Sequence, residues 1–211
     1  MKHLGTKKLQ TKRLLLRPFK ESDAKMMFEN WAKDEDVTRY LLWFSHKELS
    51  ETEEAIRSWV KLYNEKDYYH WAIVEKESGQ LIGSITLFDL HPLFLIGKQH
   101  RGEVGYCLGK KWWKLGYASE AAAAILEFSF IELGLKEVRA RHDQRNKASG
   151  RVMQRLSMAY VRKVEKAEPG RDGKWIDCEY YRLKKQDYFK AHPLDFQEKR
   201  FIFNGRKKIL K

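Results

Sequence analysis

The sequence predicts an α/β chain, α+β in some schemes, built on one mixed sheet of about six to seven strands flanked by helices. Three observations lead there. Apolar runs of strand length and of helical period alternate in the order β-α-α-β-β-β-α-β-α-β-β. Two of the strand pairs are joined by turn-rich linkers and read as hairpins. Long helical patterns cross between strands in the middle of the chain, which an all-antiparallel sheet does not need.

The elements follow in order. Residues 11–18 form a short strand ended by Pro18, and the cap signal Glu21-Ser22-Asp23-Ala24 opens a helix carrying Met26, Met27, Phe28 and Trp31. The acidic triplet Asp34-Glu35-Asp36 and the aromatic loop Tyr40-Leu41-Leu42-Trp43-Phe44 come next. Ser50 and Glu53 then supply a capping box for a helix with Ala55, Ile56, Trp59, Val60 and Tyr63 on one stripe. Strands over 70–74 and 81–88 make the first hairpin around Lys76-Glu77-Ser78-Gly79-Gln80. A loop over 91–100 leads to a strand over 101–109. The helix over 118–133 sets Ala121, Ala122, Ile125, Leu126, Ser129 and Leu133 on one face and ends at Gly134, where positive φ is wanted. A strand over 136–142 follows, with Val138 and Ala140 on one side, and then a short helix over 146–156. Strands over 158–166 and 174–184 close the order around the turn Pro169-Gly170-Arg171-Asp172-Gly173.

Composition narrows the function. The chain has 211 residues, 43% hydrophobic and 13% aromatic, enough apolar material for one packed domain. Cys107 and Cys178 are too few for a disulfide scaffold and lie in no zinc-ligand spacing, so no metal is expected. The start of the sequence lacks a signal-peptide stretch and no apolar run reaches membrane-span length, which predicts a cytoplasmic protein without a membrane partner. The net charge of +13 raises the expectation of weak RNA or ribosome contact through the basic surface. Part of that excess is local. Residues 190–211 carry seven Lys or Arg against Asp195 and Glu198 and read as a basic C-terminal extension after a domain over 1–189. The expected assembly is a monomer or a homodimer.

Chemistry concentrates between Gly102 and Ala121. A strand runs into a short basic turn containing Lys110, Lys111 and Lys114, and the turn opens onto a long helix. Unpaired amides and the positive dipole end at a helix start suit a phosphate or diphosphate.

Four segments in this order resemble the GNAT acetyltransferases, nearest to the ribosomal-protein N-terminal (RimJ/RimL-like) branch. They are Thr11-Lys12-Arg13-Leu14-Leu15-Leu16-Arg17 for T-x-R-L-x-L-R, Glu103-Val104-Gly105-Tyr106 for E-[IV]-G-Y, Gly116 to Ala121 for G-Y-A-[TS]-E-A, and Asn146 to Met153 for N-x-x-S-x-x-V-[ML]. The resemblance covers residues 11 to about 189. Two places depart from it. The phosphate loop has Lys111 at its first position and Lys114 where its first glycine is expected, and Ser157-Met158 stand where Gly-Phe is usual.

The resemblance implies direct transfer of acetyl from acetyl-CoA to a primary amine. It places the pantetheine beside the strand at Tyr106, Cys107 and Leu108, with amides near Cys107 and Leu108 as an oxyanion hole. The diphosphate is expected on Lys111, Lys114, Leu115, Gly116, Tyr117 and Ala118, and the pantetheine amide on Asn146. Glu103 is the expected general base and Ser149 the donor to the leaving thiolate. Each has a plainer reading. Glu103 can pair with an arginine, Asn146 and Ser149 can cap a helix, and Cys107 can be a small buried apolar residue. A protein N-terminal α-amine, that of a ribosomal protein in that branch, is the first acceptor expected. A small amine, aminoglycoside or polyamine, is the alternative and calls for an acidic pocket from Asp34, Glu35, Asp36, Glu48, Glu51 and Glu54. A non-catalytic domain binding RNA or a partner through residues 190–211 is the third reading.

Overall fold

The computed structural model describes residues 3–90 and 100–192. The expected loop over 91–100, apart from His100, and the basic stretch beyond His192 lie outside the described residues. One sheet of eight strands organises the rest, one or two more than the sequence pattern suggests. Its strands are β1 (Leu9–Gln10), β2 (Leu14–Arg17), β3 (His70–Glu75), β4 (Leu81–Phe88), β5 (Arg101–Leu108), β6 (Glu137–Asp143), β7 (Ala159–Pro169) and β8 (Trp175–Lys184). The spatial order is β1-β2-β3-β4-β5-β6-β8-β7. All neighbours are antiparallel except β5 and β6, which run parallel. The extra strand, β1, has only two residues, too short to carry a period.

The parallel pair needs a crossover, and helix α4 (Tyr117–Ile131) supplies it. The predicted stripe of this helix is buried throughout and packs on Trp71, Ile73, Ile85 and Val138. The helix stops at Ile131, two residues before the expected Leu133, and the chain turns through Gly134, whose φ of +73 would strain a side chain. A second core on the opposite face joins Ala72, Val74 and Leu81 to Phe19, Met27, Trp31 and Ile56. Strand β3 therefore reads as a continuous apolar run because both its faces are covered.

The helices of the second face depart from the expected pattern. The helix after Glu21 is three short pieces: a 3-10 turn over Glu21–Asp23, α1 (Ala24–Met27) and a π-helical turn over Phe28–Ala32. Helix α2 (Glu35–Thr38) replaces part of the expected acidic loop, because the Asp34 carboxylate accepts from the amides of Asp36 and Val37. Helix α3 (Leu49–Leu62) starts before the Ser50–Glu53 box. Glu51 reaches back to the amides of Lys47 at 2.6 Å and Glu48 at 3.4 Å, while the Ser50 hydroxyl donates to Glu48. Helix α5 (Lys147–Arg155) stands as expected. Helix α6 (Lys185–Ala191) was not anticipated; it runs across position 189 and seats Tyr188 on Phe130.

The N-terminal signature has a structural job at both arginines. Thr11 and Arg13 bind Glu120 of α4, through the Thr11 hydroxyl at 2.6 Å, the Arg13 amide at 2.8 Å and its Nε at 2.6 Å. Arg17 grips Asp23 with two bonds of 2.7 and 2.8 Å, and Asp23 is 2% exposed. Removing one partner of a buried pair strands the other charge. Arg17→Ala is expected to lower unfolding free energy by about 3–5 kcal/mol. Denaturant melts check this, and a loss under about 1 kcal/mol would mean the pair behaves as an exposed one.

Candidate active site

Strands β5 and β6 are in register only from Arg101↔Glu137 to Glu103↔Arg139, and then part. Beyond Glu103 the β6-facing edge of β5 is open. The other edge stays paired with β4 through Gly83↔Leu108. The Gly109 amide bonds to Ile82, so ladder alternation turns the amides of Cys107 and Gly105 toward β4. Those of Leu108 and Tyr106 face the opening. Of the two residues expected to supply an oxyanion hole, Leu108 has its amide on the open side and Cys107 does not.

A cavity of about 300 Å³ fills the wedge. It brings together Tyr106, Cys107, Leu108, Lys114, Gly116, Tyr117, Ala118, Asn146 and Ser149. Lys111, Leu115 and Glu103 do not line it. Tyr40 and Leu41 of the aromatic loop, a pocket-lining candidate by its composition, form one wall; the sequence pattern does not point to the Trp113 indole, which donates to the Leu108 carbonyl at 2.7 Å, or to Arg151 and Arg155 on α5. The last two were legible in principle, since Ala148, Arg151, Val152 and Arg155 share one helical face.

At the inner end of α4, Gly116 has φ +84 and Lys114 has φ +63. The Arg13 guanidinium holds this turn from behind, bonding the Leu115 carbonyl at 3.0 Å and lying 4.2 Å over the Tyr117 ring. The first α4 amides lack helical partners, and the Ser119 hydroxyl beside them is buried with no hydrogen-bond partner. Unpaired donors, a buried hydroxyl and the Lys114 and Arg155 cations fit the diphosphate and phosphate groups of CoA, and the open β5 edge fits its amide-bearing arm.

Lys114 carries a strain that glycine would not. Lys114→Gly is expected to stabilise the fold by about 0.5–1 kcal/mol, a rise in Tm of about 1–4 °C, and to raise KM for acetyl-CoA severalfold. Thermal melts beside steady-state kinetics separate the two effects. Unchanged KM would make the ammonium irrelevant to the diphosphate. Ser157, the other departure from glycine, likewise has positive φ, +55.

The Ser149 hydroxyl lies 2.9 Å from the Tyr106 hydroxyl, which also donates to the Ser149 carbonyl at 3.1 Å. Burial pushes the Tyr106 phenol up to about 12, against the pull of the Ser149 hydrogen bond, so it holds its proton at neutral pH. Asn146 caps α5, its side chain accepting from the Ser149 amide at 3.2 Å. Burial pushes the Cys107 thiol up to about 12, which leaves it a thiol rather than a nucleophilic thiolate. Glu103, 6% exposed, sits where the strands part and accepts from Arg141 at 2.5 Å; Arg141 also holds Glu168 at 2.9 Å. Burial raises the Glu103 carboxyl, with Arg141 pulling the other way.

Comparison with known proteins matches this architecture. The model of the acetyltransferase (GNAT) domain family matches residues 13–159. Uncharacterized N-acetyltransferase YoaA of Bacillus subtilis (strain 168) is 31% identical over 70% of this chain and 80% of its own. The acetyltransferase (GNAT family) from Bacillus anthracis superposes with TM-score 0.72 at 27% identity, covering 85% of this chain and 99% of that one. The ribosomal-protein-S5-alanine acetyltransferase from Vibrio fischeri shares the fold, with TM-score 0.72 at 18% identity over 86% of this chain and 98% of its own. An open strand edge leading into a bare helix start, on a chain matched by that family's model over these same elements, identifies it as a member of the GNAT family and an acetyl-transferring enzyme.

Proposed function

We propose that this enzyme acetylates the α-amine of a protein N-terminus in the cytoplasm, a ribosomal protein being the first acceptor to try. The observation that carries the choice of amine is the fate of the acidic residues. Asp34 caps α2, Glu35 bonds Lys47 at 2.8 Å, Asp36 pairs with Lys110, and Glu51 holds the amides before α3. Glu48 accepts from the Ser50 hydroxyl, Glu54 stands exposed on α3, and of the six only Asp36 borders the cavity, so they do not gather into the acidic pocket that a polyamine or aminoglycoside demands. The name of the Vibrio fischeri neighbour and the motif resemblance to the ribosomal-protein branch point the same way.

Bound acetyl-CoA supplies an acyl group activated as a thioester. Around it the chain provides three functions. The amides of Tyr106 and Leu108 face the oxygen on which negative charge develops. Glu103, through one water, takes the proton that the attacking amine sheds; an α-amine, with an ordinary pKa of about 7.7–8.0, gives it up far more readily than a lysine at about 10.4. Ser149 donates to the departing thiolate, with Tyr106 positioning its hydroxyl. Asn146 fixes the start of α5 and so the place of Ser149.

The test incubates the full chain with acetyl-CoA and peptides having free N-termini, beside the same peptides blocked at the α-amine but carrying lysine. Fragment mass spectra are expected to place one acetyl group on the α-nitrogen and none on the blocked set. Acetylation of lysine alone, or of spermidine in preference to every peptide, overturns this reading.

A further inference from the structure

A second cavity, about 470 Å³, adjoins the first across Tyr40 and Leu41, which line both. The segment between α2 and α3, the end of β6 and the β7–β8 hairpin wall it. Three guanidinium groups face it, from Arg39, Arg145 and Arg171, against the carboxylates of Asp143 and Asp172. Asp143 is matched already, bonded by Arg145 at 2.6 to 3.1 Å. Asp172 is drawn toward Lys174, accepting from its amide at 3.1 Å and lying 3.6 Å from its ammonium.

Arg171 differs from the other two. No carboxylate among the described residues lies within ion-pairing distance of it, and Glu35, whose charge it feels, is bonded to Lys47. Its Nη1 donates to the Thr38 carbonyl and hydroxyl, both at 3.1 Å, and to the Trp43 carbonyl at 3.2 Å. Its guanidinium carbon lies 4.9 Å over the Phe44 ring. These neutral partners orient the cation and leave its charge uncompensated, with the remaining donors of the fork free of those bonds. At the rim, Arg39 shares Asp36 with Lys110, so its charge is only partly met. A half-buried cation, fixed in place and facing a cavity beside the reaction centre, is pre-organised for an anion.

We infer that this cavity receives the acceptor and that Arg171 pairs with a carboxylate the acceptor carries close to its reacting amine. The inference rests on the α-amine reading above. The carboxylate has two sources: an Asp or Glu side chain at the second or third residue of a polypeptide, or the α-carboxylate of a free amino acid.

The experiment measures kcat/KM for the full chain with peptides differing only at residues two and three, as Glu, Gln or Lys, and with a free amino acid beside its amide. The Glu peptide is expected to exceed the Gln peptide by about tenfold or more, with Lys lowest, mostly through KM. That ratio should shrink as salt rises. Arg171→Gln is expected to bring the Glu-to-Gln ratio near one. Because Arg171 also ties the hairpin to the α2–α3 segment, Arg39→Glu at the exposed rim serves as a second variant, reducing the ratio severalfold with Tm unchanged. A preference confined to the free amino acid over its amide supports the inference and assigns the carboxylate to that source. Equal rates across Glu, Gln and Lys peptides and across acid and amide overturn it while leaving the α-amine reading in place. Acetylation of no α-amine at all overturns both.

Discussion

Glu103→Gln is expected to lower kcat by about 10²-fold or more at neutral pH while leaving the fold as stable as before or slightly more so. The two halves of this expectation have different origins. A general base loses its function when the carboxylate becomes an amide, whatever its packing. Stability depends on the direction in which folding moves the carboxyl. Burial raises Glu103 in the folded protein, so the folded state binds its proton more tightly than the unfolded chain does. Stability from this group is therefore full below its ordinary carboxylate range and is lost as pH rises through the raised folded value. At pH 7 burial of the ionised Glu103 works against the fold and its pairing with Arg141 works for it; the neutral amide gives up both, and Arg141 keeps Glu168.

The pH profile adds a second readout. In the native enzyme kcat/KM rises with pH as Glu103 ionises, above the ordinary carboxylate range, and again as the acceptor α-amine loses its proton near pH 8. The Gln variant should keep only the upper step. Two outcomes would sink the assignment. Unchanged turnover at every pH removes the base. A drop of several degrees in Tm alongside weak kinetic effects would mean that Glu103 serves chiefly as the structural partner of Arg141, since breaking a buried ion pair is costly.

Much of this site was legible in the sequence, for a specific reason. A strand edge, a turn requiring positive φ and a helix start are local in the chain, so the short motifs by which it resembles the family carry Tyr106, Gly116, Asn146 and Ser149, all of which line the cavity. The fold was legible where apolar period spans many residues, as in α4 and β3. It was not legible in β1, whose two residues carry no period, nor before α3, where the carboxylate of Glu51 caps in place of a hydroxyl. The acidic triplet divides: Asp34 acts on its own backbone as the cap of α2, while Asp36 borders the cavity. Charge partners were the least legible. Arg141 meets Glu103 from 38 residues away, and Arg171 meets Thr38 from 133. Nothing in a periodic pattern says which cation reaches which oxygen; only the topology that brings β6 beside β5, and the β7–β8 hairpin beside α2, decides it.

Ser149→Ala is expected to lower kcat by about 10–100-fold, and Tyr106→Phe by a smaller factor in the same direction. The double variant should be little worse than Ser149→Ala alone. If the phenol acts only by holding the serine hydroxyl 2.9 Å away, then removing the serine removes what the tyrosine contributes. A merely structural Tyr106 predicts the opposite, because packing losses at the two positions would add. The donor gives an independent check. A thioester whose thiol is more acidic than CoA leaves as a more stable thiolate and needs less help from a proton donor. Both single variants should therefore lose less with such a donor than with acetyl-CoA, while Asn146→Ala, which shifts the whole α5 start, should lose alike with both. Equal losses for the two donors in Ser149→Ala would show that the hydroxyl does not meet the leaving sulfur, and the proton would then have to reach it from solvent through the open end of the wedge.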